Sequence, residues 1–214
     1  MSANSRPFGT LSIDCNYSVP IKYSPSLLFT ALGSQGHTAG YDTPTRIHVN
    51  WAKADNTWPE LVQDFCKKVC LADIHTLHMA GNQLRKLSKR PLQDLLSRMP
   101  ALTSLVLTGL HSSIIFSLLA KATPKSKGTI REEKAAPQFL PSLKDMTIKA
   151  MVLGAELQSG KTTFGYALKA MLQKRVSLGA KVETLLLKDC FGTEVFTDGL
   201  QGCVGTLVVE PEIQ

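Results

Sequence analysis

The strongest chemical suggestion in this chain is the run Ala155-Glu156-Leu157-Gln158-Ser159-Gly160-Lys161-Thr162. It fits the relaxed phosphate-loop pattern, with Ala at the position of the first Gly. In such a loop the backbone amides cradle phosphates, Lys161 reaches the terminal ones and Thr162 holds magnesium. An apolar stretch, Met146 to Leu153, precedes it, and helix-spaced apolar residues from Phe164 follow. Three features count against nucleotide chemistry. The leading Gly that eases the tight path is missing. The motif comes late in the chain instead of opening a nucleotide fold. The nearest candidate for a magnesium carboxylate, Asp189, follows Lys188 instead of ending an apolar strand. Nucleotide binding through Gly160, Lys161 and Thr162 therefore stands as the alternative reading.

Other reactive residues are sparse. His48 and His78 each sit between two apolar strand positions, Ile47/Val49 and Leu77/Met79. On neighbouring in-register strands the two rings would meet about 4.8 Å apart. No further ligand stands beside them, so they read as surface histidines and no metal is expected. Cys66 and Cys70 share a helix face at a spacing unlike that of a zinc knuckle. With Cys15, Cys190 and Cys203 they make an odd, scattered set, which suits free thiols in a reducing compartment, cytoplasm or nucleus. No His-Glu-x-x-His and no Gly-x-Ser-x-Gly occurs. The chain is expected to be no enzyme and to need no cofactor.

The elements that would position any site follow one recurring pattern. Ile74, Leu77, Met79, Asn82 and Leu84 fill the leucine-rich-repeat frame L-x-x-L-x-L-x-x-N-x-L. The L-x-L pair is a short strand with both apolar residues on one face, and the Asn side chain bonds backbone where the chain leaves the strand. The frame returns at Leu102/Leu105/Leu107, Leu143/Met146/Ile148, Val182/Leu185/Leu187 (with Cys190 at the Asn position) and Val204/Leu207/Val209. Phe8, Leu11, Ile13 and Asn16 match it too, and Ile47 and Val49 match its strand pair. Helix-spaced stretches lie between, at Trp58–Val69, Pro91–Met99, Ser113–Ala122 and Phe164–Val176. Alternating strands and helices imply parallel strands joined by right-handed crossovers.

The expected fold class is α/β: an irregular leucine-rich-repeat solenoid of about seven units, a curved parallel sheet with helices on the convex face. Residues 1–7 read as a flexible start, 8–210 as the repeat domain, and 123–138 as a mobile, charged loop. With 43% hydrophobic and 19% charged residues, the composition is that of an ordinary globular chain. No apolar run reaches the roughly 20 residues of a membrane span. The net charge of +7 gathers at Arg85–Arg90 and Lys121–Lys134, without the interleaved aromatics of a nucleic-acid groove. No specific nucleic acid is expected.

From Phe139 to Glu210 the chain resembles the leucine-rich-repeat region of fungal (basidiomycete) F-box-type proteins. The likeness lies in Phe-Leu-Pro-Ser-Leu-Lys-Asp-Met-Thr-Ile, a long helix ending at Gly179, Val-Glu-Thr-Leu-Leu-Leu-Lys-Asp-Cys, and a short closing strand. The Ile74 and Leu102 units fit the same architecture. The resemblance implies a non-catalytic protein-protein interaction module, the substrate-recognition part of an F-box-type ubiquitin ligase. In that family an N-terminal F-box docks on a Skp1-type adaptor. Met1 to Tyr17 carries no F-box-like helical segment, so adaptor binding is not carried over. The expected partner is an unidentified protein. It would be held by the outward residues of the strands: Arg46, His48, Asn50, Thr76, His78, Val106, Thr108, Thr147, Lys149, Leu186 and Lys188.

Overall fold

The computed structural model describes residues 8–14, 26–33, 45–50, 64, 67–68, 71–80, 89–109, 114–123, 135–157 and 162–211. The readings at 1–7, at Asn82 and Leu84, at Cys66 and Cys70 and at 158–161 lie outside them. The fold class is α/β. The chain divides into two compact units, Met1–Leu110 and His111–Gln214.

The first unit holds β1 (Phe8–Asp14), β2 (Ser26–Gly33), β3 (Thr45–Asn50), β4 (Thr76–Ala80), α1 (Lys89–Ser97) and β5 (Ser104–Thr108). β4 runs parallel to both β1 and β5, with Leu77 opposite Leu11 and Leu105. β2 is antiparallel to β1 and to β3. This corrects the expectation of an all-parallel sheet. Ser26–Gly33 forms a strand that the repeat frame does not contain, and it turns the chain back on itself. The physical reason is the connection. A parallel neighbour needs a crossover of a dozen or more residues, usually a helix. No helix-spaced stretch separates Leu11 from Ile47, so the antiparallel path is the accessible one.

Between β4 and β5 lies a crossover of the expected kind. Pro91, Leu92, Leu95 and Leu96 of α1 are buried, with Pro91 near the helix start where its missing N–H costs nothing. Of the expected Trp58–Val69 helix, Asp64, Lys67 and Lys68 are described, and all three are helical.

The second unit holds α2 (Ile114–Leu119), β6 (Asp145–Lys149), α3 (Phe164–Ser177), β7 (Val182–Lys188), α4 (Thr197–Gln201) and β8 (Val204–Glu210). β6, β7 and β8 run parallel in that order. α2 is shorter than Ser113–Ala122. Its Phe116 meets Phe164 of α3 edge-on, 4.8 Å between ring centres. The segment expected as a loop at 123–138 is tied at its base. Thr123 N–H donates to the Ala136 carbonyl and Gln138 N–H to that of Lys121, both at 2.8 Å; residues 124–134 lie outside the described set.

The same backbone devices recur in both units. The lead residues Ile74, Leu102, Leu143 and Val182 are buried, as are the inward pairs Leu77/Met79, Leu105/Leu107, Met146/Ile148 and Leu185/Leu187. The His75 carbonyl accepts the N–H groups of Thr103 and Ser104, and the Lys144 carbonyl those of Glu183 and Thr184. The exits of β5, β6 and β7 each have a left-handed residue two places after the last inward one: Gly109 (φ 60°), Ala150 (φ 51°) and Asp189 (φ 53°). β8 departs from the pattern. Leu207 is half-buried and Val209 is 40% exposed, so the inward row that is sealed on β7 runs out there.

α3 carries the second unit's core through Phe164, Leu168, Met171 and Leu172. Arg175 shares that face and is fully buried. Its Nη2 donates to the Leu140 carbonyl at 2.9 Å and its Nη1 to that of Phe139 at 3.4 Å. Leu140 itself sits at φ 48°. The guanidinium thus holds a strained turn closed, and burial lowers its pKa to about 10.

Candidate functional site

Strand alternation decides what each unit offers to a partner. On β4 and β5 every second residue is buried and those between are half-exposed. Register pairs Thr76 with Ser104, His78 with Val106 and Ala80 with Thr108. The first unit therefore presents a small, mostly polar patch whose apolar positions are Ala80 and Val106.

The second unit presents three rows across β6, β7 and β8. They are Asp145-Thr184-Thr206, Thr147-Leu186-Val208 and Lys149-Lys188-Glu210. The central row is largely aliphatic. The third carries two lysines and a carboxylate, with Lys188 Nζ 2.9 Å from Glu210 Oε2. The bond to Glu210 and its charge raise the Lys188 pKa above the ordinary lysine value. Lys144, just before β6, and Glu183, near the start of β7, make a second ion pair at 3.2 Å. A face of this kind offers aliphatic contact beside fixed charge.

Of the residues expected on one binding surface, Thr147, Lys149, Leu186 and Lys188 come together in the second unit. Thr76, His78, Val106 and Thr108 come together in the first. Arg46, His48 and Asn50 do not join them. They lie on β3, opposite Thr30, Leu28 and Ser26, and β2 and β1 stand between β3 and β4 in the strand order. His48 and His78 are thus not neighbours, and the strand positions facing His78 are Ser12 and Val106. The β8 positions of this face, Thr206, Val208 and Glu210, were missed. Their alternation with Leu207 and Val209 was the available signal.

The position reserved for Asn in the frame is occupied by Cys190. Its thiol donates to the carbonyls of Ile148 and Lys188, each at 3.4 Å. Burial raises the thiol pKa above its usual value, and the backbone bonds only partly offset this. Phe191 N–H then donates to Met151 and Leu153 N–H to Phe191, which extends the ladder past the strand ends. Cys190 forms a structural corner at the exit of β7.

Of the phosphate-loop match only the flanks, Ala155–Leu157 and Thr162, are described. β6 ends at Lys149, well before Ala155. Glu156 and Thr163 form an antiparallel bridge, and Leu157 N–H donates to the Thr162 carbonyl at 3.0 Å. The first amides of α3 are already occupied: Phe164 N–H by Ala155 and Gly165 N–H by Leu153. A phosphate needs such amides free and convergent. With Gly165 N–H occupied, the capping Thr163 makes no side-chain cap bond, and its Oγ1 is buried without a partner. Beside the Glu156–Thr163 bridge an open groove of about 670 Å³ is lined by Glu156, Thr162, Thr163, Tyr166, Lys169, Ala170 and Gln173.

Among the described residues no His, Cys, Asp and Glu side chains group as a metal set. No helix among them is long and apolar enough to cross a membrane. Compared with family models, curated proteins and solved structures, the chain matches none.

Proposed function

We propose that this chain is a non-catalytic protein-recognition module of the leucine-rich-repeat type, in which the outward strand faces hold a partner protein. The observation that carries the reading is the Thr147-Leu186-Val208 row. Aliphatic side chains stand accessible there, and on β6 and β7 the alternate residues are wholly buried. Exposed aliphatic groups ringed by charge are the composition of a recognition patch. The recurring buried leads, the left-handed strand exits and the Cys190 corner are what an irregular repeat solenoid would need at each turn. The resemblance adds the cellular role: substrate recognition for an F-box-type ubiquitin ligase, in the cytoplasm or nucleus.

The test is capture by the whole chain, with partners identified by mass spectrometry. Thr147→Glu with Leu186→Glu is expected to abolish capture, because it places two carboxylates on the aliphatic row. Lys169→Ala, in the groove beside α3, is expected to leave capture intact. Partners retained at full level by the double variant would overturn the reading. So would a nucleotide that raises the melting temperature at millimolar concentration, since ligand binding to the folded state must stabilise it.

A further inference from the structure

We propose that β8 is a self-association edge, along which a second copy of this chain adds its own β8 in antiparallel register. Among the described residues β8 pairs only with β7. The Glu210 carbonyl accepts from Asp189, so the backbone groups of Thr206, Val208 and Glu210 point toward β7. By alternation those of Gly205, Leu207 and Val209 point away, toward an open edge. An open strand edge is a template for another strand. Its side chains are open too: Val208 is 38% and Val209 40% exposed, and Leu207 is half-buried. On β7 the equivalent inward residues, Leu185 and Leu187, are fully buried.

The strand's own sequence selects the occupant. It is self-complementary about Leu207. Antiparallel pairing on that centre sets Leu207 against Leu207 of the second copy, Gly205 against Val209, and Thr206 against Val208. The aliphatic residues then fill each other's exposed sides, and the glycine makes room for the valine. The strand has one charge, Glu210, at its end and already neutralised by Lys188. Antiparallel pairing sets the two Glu210 side chains about 20 Å apart, whereas parallel pairing would stack them about 5 Å apart. No proline and no lysine lies within Val204–Glu210 to blunt the edge. A single strand-to-strand contact falls below the roughly 1,200 Å² of stable interfaces, so the association is reversible.

Sedimentation velocity of the whole chain, from about 5 µM to about 1 mM, reads it directly. A concentration-dependent dimer is expected. Val208→Lys should raise its dissociation constant about tenfold or more by placing a charge in the aliphatic seam. Val209→Pro removes an outward N–H without touching the ladder to β7 and should do the same. Both variants should keep the wild-type circular dichroism. Leu186→Glu, on the sheet face, should leave the dimer unchanged. A monomer at every concentration overturns the proposal. So does a dimer that survives both edge substitutions, or one that Leu186→Glu abolishes.

Discussion

Replacing Arg175 tests the packing argument most sharply. The guanidinium is fully buried and has two carbonyl partners, while its Nε has none. The fall in its pKa to about 10 comes from desolvation. It corresponds to about 3 kcal/mol against holding the charged form there. The charge nonetheless persists at neutral pH. Two charge-assisted hydrogen bonds return about 1.5–3 kcal/mol each, the 3.4 Å bond at the lower end. Arg175→Met keeps the volume, removes the desolvation cost and loses both bonds. It also strips the Phe139 carbonyl of its partner, while Leu140 keeps the Leu143 N–H at 3.2 Å. The balance is a loss of about 2 kcal/mol. Arg175→Ala adds a cavity and should cost about 4–5 kcal/mol. Urea unfolding followed by far-UV circular dichroism measures both. Tryptophan fluorescence from Trp51 and Trp58, which lie in the first unit, serves as the internal comparison. Met at position 175 as stable as Arg would refute the account, because the guanidinium would then contribute only its bulk.

Ala150 sits exposed at φ 51°, where Gly109 occupies the corresponding strand exit. Ala150→Gly should stabilise the chain by about 0.5–1 kcal/mol and raise the melting temperature by about 2–3 °C. A fall in that temperature would show that the left-handed turn carries no strain. Cys190 has its pKa raised by burial, so its thiolate fraction at neutral pH is smaller than that of a free thiol. Iodoacetamide should therefore label the Cys190 peptide more slowly than an unstructured cysteine peptide at pH 7, with the deficit closing only under alkaline conditions. Labelling at the free-thiol rate would contradict the corner geometry.

Much of the α/β layout is legible in the sequence because its cause is local. Leu105 and Leu107, or Met146 and Ile148, are two apart and flanked by polar residues. That spacing alone sends them to one face of a strand and their neighbours to the other. Phe164, Leu168, Met171 and Leu172 likewise specify one helix face. The same spacing names Thr147, Leu186 and Lys188 as outward residues without any coordinates. Even the Cys190 corner follows from its place in the frame.

What the sequence left open depends on which strands become neighbours. Ile47 and Val49 have the right spacing, yet β3 pairs with β2, since pairing is fixed by the connection and not by the strand itself. Register across β6, β7 and β8 turned three separate outward residues into the Thr147-Leu186-Val208 row. Arg175 falls in step with the apolar face of α3, but only the carbonyls of Phe139 and Leu140, brought to it through tertiary contact, make burying that charge tolerable. The Gly-Lys-Thr motif shows the limit most plainly. Its residue types suit phosphate, yet beside it the amides of Leu157, Phe164 and Gly165 are taken by the carbonyls of Thr162, Ala155 and Leu153, which the motif does not reveal. Spacing along the chain sets which way a side chain points; contact partners distant in sequence set what it meets there.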